Sequence, residues 1–159
     1  MLKKNDEIYM TVKSCTVQGS GVCDHDGMTV FVRGAVTGDR VLAHIIKVKK
    51  TYAVGIIKKL VQRSPMRAKN FCPIAEKCGG CCFAHIKYES ELEIKAQQVA
   101  DNFKRLGKLD ITPAPIIPSP SAERYRNKAQ YPVGSDGRFA TIGFYAPMTH
   151  RIIDCADCL

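Results

Sequence analysis

Residues 28–33 (MTVFVR), 40–48 (RVLAHIIKV) and 51–61 (TYAVGIIKKLV) decide the fold of the first part of the chain. Each run is rich in β-branched and aromatic residues. Upstream, Ile8, Met10 and Val12 alternate with polar neighbours, the two-residue period of a half-buried strand. Between the runs lie Gly19-Ser20-Gly21, Asp26-Gly27 and Thr37-Gly38-Asp39, which supply turn chemistry. About five short strands at such spacing predict a small closed β-barrel of the oligonucleotide-binding type, since closure removes exposed sheet edges in a unit of this size. A small open sheet is the alternative. The predicted barrel covers residues 1–64.

Ser64-Pro65 ends that pattern, and the cysteine segment from Phe71 to Cys82 follows without periodicity, as a loop built around something. From Ser90 the spacing becomes helical. Leu92, Ala96, Val99, Phe103 and Leu106 share one face, Ser90 and Glu93 suit a capping box, Glu91 and Lys95 suit an ion pair one turn apart, and Gly107 suits the C-terminal cap. A helix over about residues 90–106 is predicted, with its apolar stripe packed on a core. Pro113, Pro115, Pro118 and Pro120 make residues 112–121 an extended connector. Beyond it, 124–133 and 138–145 flank Gly134-Ser135-Asp136-Gly137 as a hairpin over 124–145, with Arg151-Ile152-Ile153-Asp154 as a third strand. The fold class expected is mixed: a small N-terminal β-barrel, then over 65–159 an α+β segment with a cysteine loop, one helix and an antiparallel sheet. The chain stops at Leu159, one residue after a cysteine and without a closing element, so it is expected to be the front part of a longer protein.

The 159 residues are 45% hydrophobic and 25% charged, and no apolar run approaches the roughly 20 residues that span a bilayer. The N-terminus carries Lys3-Lys4 without a following apolar stretch, so secretion is unsupported and a cytoplasmic location is expected. The net charge of +9 is uneven: residues 1–64 hold 11 Lys/Arg against 5 Asp/Glu. Such an excess favours a polyanionic partner, RNA above all, over a membrane.

Eight cysteines in a reducing compartment point to metal rather than disulfides. Cys72 and Cys78 are separated by five residues, and Cys78-Gly79-Gly80-Cys81 follows. Two thiolates across a two-residue gap can chelate one centre, and glycines permit the tight backbone that turns amides toward cluster sulfides. A four-iron, four-sulfide cluster needs four thiolates. Cys82 must diverge from Cys81, so the fourth comes from Cys155 or Cys158. The alternative is a tetrahedral zinc site on the two C-x-x-C pairs, Cys78/Cys81 and Cys155/Cys158, which leaves Cys72 idle. Cys15 and Cys23 read as small buried hydrophobes. His25, His44, His85 and His150 are scattered, and no glycine-rich turn joins a strand to a helix, so neither a catalytic centre nor a Rossmann or P-loop nucleotide site is assigned.

Candidate RNA contacts fall in two groups. Arg33, Lys47, Lys49, Lys50, Lys58 and Lys59 sit on predicted barrel strands and turns, with Phe31 and Tyr52 available for stacking. On a strand, Lys58 and Lys59 point to opposite faces. Arg124, Arg126, Lys128 and Gln130 would share one face of the predicted strand over 124–133, a cationic face with amide reach.

In this order the features resemble the RNA 5-methyluridine methyltransferases, specifically members with an N-terminal TRAM domain and an iron–sulfur centre. The resemblance is carried by Val30-Phe31-Val32-Arg33-Gly34-Ala35 and Gly38-Asp39-Arg40-Val41, by Cys72 through Cys81, by Tyr125-Arg126-Asn127-Lys128, and by Ile153-Asp154-Cys155-Ala156-Asp157-Cys158. It implies that residues 1–64 are a TRAM RNA-binding barrel and that Cys72, Cys78, Cys81 and Cys158 hold a 4Fe-4S cluster, with Cys155 an extra. It further implies a separate C-terminal domain that binds S-adenosylmethionine and carries the catalytic cysteine. No segment corresponding to that domain is present, so this chain alone is expected to be catalytically silent. The full-length parent is expected to be a monomer methylating RNA, with 23S ribosomal RNA favoured and transfer RNA as the other substrate class. Radical methylthiotransferases also combine TRAM with a cluster, but there TRAM comes last and the cysteines follow a three-then-two spacing. A stand-alone TRAM-type RNA-binding module with a zinc or iron–sulfur site is the remaining reading.

Overall fold

A computed structural model describes residues 2–69, 72–135 and 137–158, so Phe71 of the expected cysteine loop and Asp136 of the expected turn lie outside the described residues. The chain divides into two compact units, Met1–Ala68 with His85–Ile117, and Lys69–Ala84 with Pro118–Leu159.

The first unit is a curled six-stranded sheet and a helix. Its strands are β1 (Glu7–Thr11), β2 (Ser14–Cys15), β3 (Ser20–His25), β4 (Met28–Arg33), β5 (Arg40–Val48) and β6 (Tyr52–Gln62), in the order β1-β5-β6-β4-β3-β2. All neighbours are antiparallel except β4 and β6, which run parallel with Val30 opposite Ala53 and Val32 opposite Gly55. The two ends of that order, β1 and β2, are consecutive in the chain and separated only by Val12 and Lys13. The Val12 N–H donates to the Asp39 carbonyl at 2.9 Å, and the Lys13 N–H donates to the Val22 carbonyl at 2.8 Å. One bent segment, residues 7–15, therefore borders both edges and curls the sheet around its core.

That core follows from strand alternation. Val30 and Val32 of β4, Val41, Ala43 and Ile45 of β5, and Ala53 of β6 point inward and are fully buried, joined by Met10, Val12 and Cys23. Each buried Val or Ile contributes about 1.5–3 kcal/mol relative to exposure. Gly21 is required by closeness: a Cβ there would lie 2.7 Å from Val12 Cγ1 and 2.8 Å from the Ala35 Cβ. Cys15 and Cys23 are both buried, and burial pushes the Cys23 thiol up to about 11, the behaviour of an inert hydrophobe.

Helix α1 (Tyr88–Arg105) begins two residues before the expected start, after Lys87 in an extended conformation, and no side chain caps it. Pairing fixes this start. The Ala68 N–H donates to the His85 carbonyl at 3.1 Å and the Lys87 N–H to the Met66 carbonyl at 2.9 Å, so the strand-like ladder of 66–68 with 85–87 delivers the chain into the first turn ahead of Ser90. The Glu91–Lys95 pair forms as expected. At the other end the left-handed residue is Lys108 rather than Gly107. The expected packing of the stripe is also corrected. Ile94 is the buried helix residue and Gln98 Nε2 donates to the Cys15 carbonyl at 3.3 Å, so a face roughly opposite to the stripe turns toward β2. Val99, Phe103 and Leu106 are exposed, Leu106 at 81%.

The second unit holds a three-stranded antiparallel sheet in the order β7 (Val133–Ser135), β8 (Ala140–Tyr145) and β9 (Ile152–Asp154). The hairpin and third strand form, but the expected strand over 124–133 does not: pairing begins only at Val133. Arg124 has a left-handed backbone, φ 53°, and Pro132 has no N–H to donate, so a regular ladder cannot extend through this segment. Among the described residues no helix is long and apolar enough to cross a membrane.

Candidate metal centre and nucleic-acid interface

Strand β8 assembles the thiol site. On its C-terminal side the Tyr145 carbonyl accepts from the Gly79 N–H at 2.9 Å, and a Cβ on Gly80 would meet the Phe144 ring at 3.2 Å. The two glycines are thus what lets the Cys78–Cys81 turn lie against the strand. In the same turn the Gly80 N–H donates to Cys78 Sγ at 3.3 Å. The segment before it is wound by short bonds, from the Ala75 N–H to the Cys72 carbonyl at 3.2 Å and from the Cys78 N–H to the Ile74 carbonyl at 2.8 Å. On the other side of β8, Phe144 pairs with Ile153, and the Cys155 N–H donates to the Ile142 carbonyl at 3.0 Å. The same strand therefore places the Cys155–Cys158 loop.

Five thiols share this region. Burial pushes the Cys81 thiol up, and the charges of Cys158, Cys78 and Cys72 push in the same direction while Arg126 opposes them. The Cys155 thiol is raised by burial, by the charges of Cys158, Cys78 and Cys72, and by a hydrogen bond with Cys158. Tyr131, whose ring meets Phe144 edge-on at 5.1 Å, has its hydroxyl raised by burial and by the neighbouring Cys158 and Cys155. The donor chemistry fits a thiolate-bound metal or cluster: several sulfur ligands, amides and a phenol around them, and mutual repulsion that a cation would relieve. Among the described residues no three Cys, His, Asp or Glu side chains close into a ready-made metal cage. Cys82 is exposed.

Arg126 lies 5.9 Å from the centre of the Tyr125 ring, and its guanidinium is held further toward the charged form by Tyr125 and by the charges of Cys81 and Cys158. Sequence reasoning placed Arg126 on an RNA-facing strand and had no signal for this proximity to the thiols. Nearby, Arg124 Nη2 donates to Asp157 at 2.8 Å, and this exposed pair holds the Asp157 carboxyl below its usual range. Lys128 and Gln130 are exposed in the irregular segment, so the single face predicted for 124, 126, 128 and 130 is not formed by a strand.

In the first unit the basic residues separate into two groups. Lys47, Lys49 and Lys50 are exposed at the β5–β6 turn, where the Lys49 N–H donates to the Tyr52 carbonyl at 2.8 Å. Tyr52 meets Phe31 edge-on, ring centres 5.7 Å apart, on the outward face of the neighbouring strands. Arg33 lies at the far end of β4, opposite Ile56, and Lys58 follows two residues later on β6. From Tyr52 to Lys58 is about 20 Å of strand. Lys58 is also not free: its Nζ is 2.5 Å from Glu7 Oε1. The expected opposition of Lys58 and Lys59 is altered by a bulge, since Leu42 pairs with Lys59 but Ala43 with Ile57, leaving Lys58 as the extra residue.

No protein-family model matches the chain. It is similar to proteins named uncharacterized RNA methyltransferases: 39% identical over 159 residues to one from Halalkalibacterium halodurans, covering 99% of this chain and 35% of the relative. To one from Clostridium tetani it is 38% identical over 157 residues, covering 99% of this chain and 34% of that protein. The chain thus spans about a third of the length of these curated relatives. Its fold is similar to part of the Pyrococcus abyssi tRNA (uracil-54, C5)-methyltransferase solved with S-adenosyl-L-homocysteine, with TM-score 0.60 and 24% identity over 94% of this chain and 32% of that one.

Proposed function

We propose that this chain is the RNA-binding and cluster-binding N-terminal part of an S-adenosylmethionine-dependent RNA (uracil-5-)-methyltransferase acting on 23S ribosomal RNA. The observation that carries the reading is the near-complete alignment of the chain with proteins named RNA methyltransferases, over only a third of their length. Residues 1–64 then act as a TRAM domain. The bent first segment, the strand order and the parallel β4–β6 pair support an oligonucleotide-binding-type barrel. Lys47, Lys49 and Lys50 neutralise RNA phosphates beside the Phe31–Tyr52 pair, and Arg33 and Lys58 extend the contact along β6. Lys128 and Gln130 contact RNA from 65–159. Arg126 serves RNA with the same charge that faces the thiols.

Cys72, Cys78, Cys81 and Cys158 hold the cluster in this reading. When bound, a 4Fe-4S group would accept these four thiolates and cross-link the segments that carry them. The chain's own residues position it: Gly79 and Gly80 seat the turn on β8, the Gly80 amide donates to the Cys78 sulfur, and Tyr131 lies beside Cys158. S-adenosylmethionine and the catalytic nucleophile belong to the remainder of the full-length parent, a cytoplasmic monomer, and no residue of this chain is assigned to methyl transfer.

The deciding assay gives the full-length parent a labelled methyl donor and ribosomal or transfer RNA transcripts lacking modified bases. Methyl transfer to C5 of a uridine in 23S RNA is expected. Transfer to another base, or none, overturns the reading, and transfer to transfer RNA alone overturns its substrate.

A second reading has one observation in its favour. Cys155 lies with Cys158, Cys78 and Cys72, so the two C-x-x-C pairs are neighbours and can form a zinc site that leaves Cys72 idle. Iron, zinc and acid-labile sulfide content of anaerobically purified protein separates the two.

A further inference from the structure

A four-ligand cluster does not use five thiols. Cys155 is half-buried and anchored through its own N–H to the Ile142 carbonyl, its thiol is raised by burial and by the neighbouring Cys158, and Cys158 is exposed. The two are separated by Ala156 and Asp157 alone, and the Arg124–Asp157 ion pair braces the loop that joins them. A C-x-x-C pair on one short, braced loop needs little chain movement to be joined. Cys72 and Cys78–Cys81 lie on a separate segment, tied to β8 through Gly79.

We propose that Cys155 and Cys158 are a disulfide-forming pair that withdraws Cys158 from metal binding when the site is empty and peroxide is present. Hydrogen peroxide oxidises the exposed Cys158 sulfur to the sulfenic acid, and its second oxygen leaves as water. The Cys155 sulfur then attacks the Cys158 sulfur. The sulfur–sulfur bond forms, the hydroxyl departs with the Cys155 proton as a second water, and two thiols have been oxidised by one peroxide. The bond occupies Cys158 until a dithiol reductant restores it, while a bound metal would protect it by occupying the same sulfur.

The disulfide itself stands on the two thiols alone, whereas its effect on cluster loading rests on the proposed ligand set. Metal-free 159-residue protein is treated with hydrogen peroxide, alkylated and digested with trypsin. Cleavage after Arg151 releases residues 152–159, which carry both thiols, while Cys78, Cys81 and Cys82 fall in the peptide 78–87. The expected result is an unalkylated 152–159 peptide lighter by two hydrogens, restored by dithiothreitol and lost in Cys155→Ser. Reconstitution with iron and sulfide should fail after oxidation of the parent sequence, return with dithiothreitol, and be retained to a several-fold greater extent in oxidised Cys155→Ser. Full alkylation of both thiols, or a cross-link from 152–159 to 78–87, overturns the pair. Equal loss of reconstitution in Cys155→Ser overturns the protective role. An unoxidised control that takes up no cluster overturns the proposed ligand set and leaves the pair to be judged by peptide mass.

Discussion

Arg67 grips Asp39 with the Nε–Nη2 edge of its guanidinium. Nη2 lies 2.6 Å from Oδ2, and Nε lies 2.9 Å and 3.0 Å from the two carboxylate oxygens. Asp39 is fully buried and Arg67 is 10% exposed, and the same carboxylate accepts from the Val36 and Ser64 N–H groups. Arg67 Nη2 also donates to the Gly34 carbonyl at 2.8 Å. One ion pair thus fixes the 34–39 turn and the exit from β6.

Removing one partner leaves a buried charge unpaired. Arg67→Ala is expected to destabilise the first unit by about 3–5 kcal/mol, read as a lowered urea midpoint. Arg67→Lys keeps the charge but loses the fork and should fall between the two. An unchanged midpoint in Arg67→Ala would show that the pair adds nothing.

His85 adjoins this pair. Its Nε2 is buried without a hydrogen-bond partner among the described residues, and burial together with the Arg67 charge holds the imidazole below its usual 6.5, with Asp39 opposing. In the unfolded chain the ring protonates near 6.5, where the folded ring stays neutral, so the unfolded state binds more protons. Stability is fully present above pH 6.5 and declines as pH falls from there toward the folded value. His85→Gln should flatten that part of the pH–stability curve, measured by urea titrations between pH 5 and 8 (about 1 unit apart). A wild-type slope retained in the variant would assign the effect elsewhere.

Much of this was legible in the sequence for a physical reason: strand alternation and turn glycines are local. The β4, β5 and β6 runs, the α1 helix and the β8–β9 pairing all follow from such signals. What was not legible depends on tertiary partners. Leu92 to Leu106 read as the buried stripe, yet Ile94 and Gln98 meet the sheet, because a chain ladder at 66–68 and 85–87 sets how the helix enters. At the thiol site the C-x-x-C spacings were visible. That β8 would carry both of them, and that Arg126 would face the thiols, was not.

Gly79 tests the seating of the cysteine turn. A Cβ there would stand 2.6 Å from the Tyr145 carbonyl oxygen, the atom that accepts the Gly79 N–H, and 3.3 Å from the Pro147 nitrogen. Backbone atoms cannot swing aside as a side-chain tip can, so Gly79→Ala should cost about 1–3 kcal/mol in the second unit. The expected outcome is several-fold lower metal content after anaerobic purification, with the urea midpoint of the first unit unchanged. Full metal content would show that the turn is held independently of β8.

Two cysteines used oppositely distinguish the proposed cluster from the zinc alternative. Cys72 is a ligand in the iron–sulfur set and idle in the zinc set, whereas Cys155 is extra in the first and a ligand in the second. Cys72→Ser is expected to abolish bound iron and acid-labile sulfide, and Cys155→Ser to leave both near wild type. Zinc retained by Cys72→Ser and lost by Cys155→Ser would establish the other centre.

The proposed RNA surface makes a quantitative prediction about which lysines matter. Each phosphate neutralised on a single strand adds about 0.7 to the slope of log affinity against log salt. Lys49 and Lys50 are exposed at the β5–β6 turn, beside the Phe31–Tyr52 pair, so Lys49→Ala with Lys50→Ala should lower that slope by about 1.4. Lys58 is already paired with Glu7, and its charge is partly spent within the sheet. Lys58→Ala should therefore change the slope less than Lys49→Ala, and Glu7→Gln should strengthen binding at low salt by releasing it. Anisotropy titrations of a labelled RNA at several salt concentrations measure all four. A Lys58 effect equal to that of Lys49 would mean that RNA displaces Glu7 and that the contact runs the full length of β6.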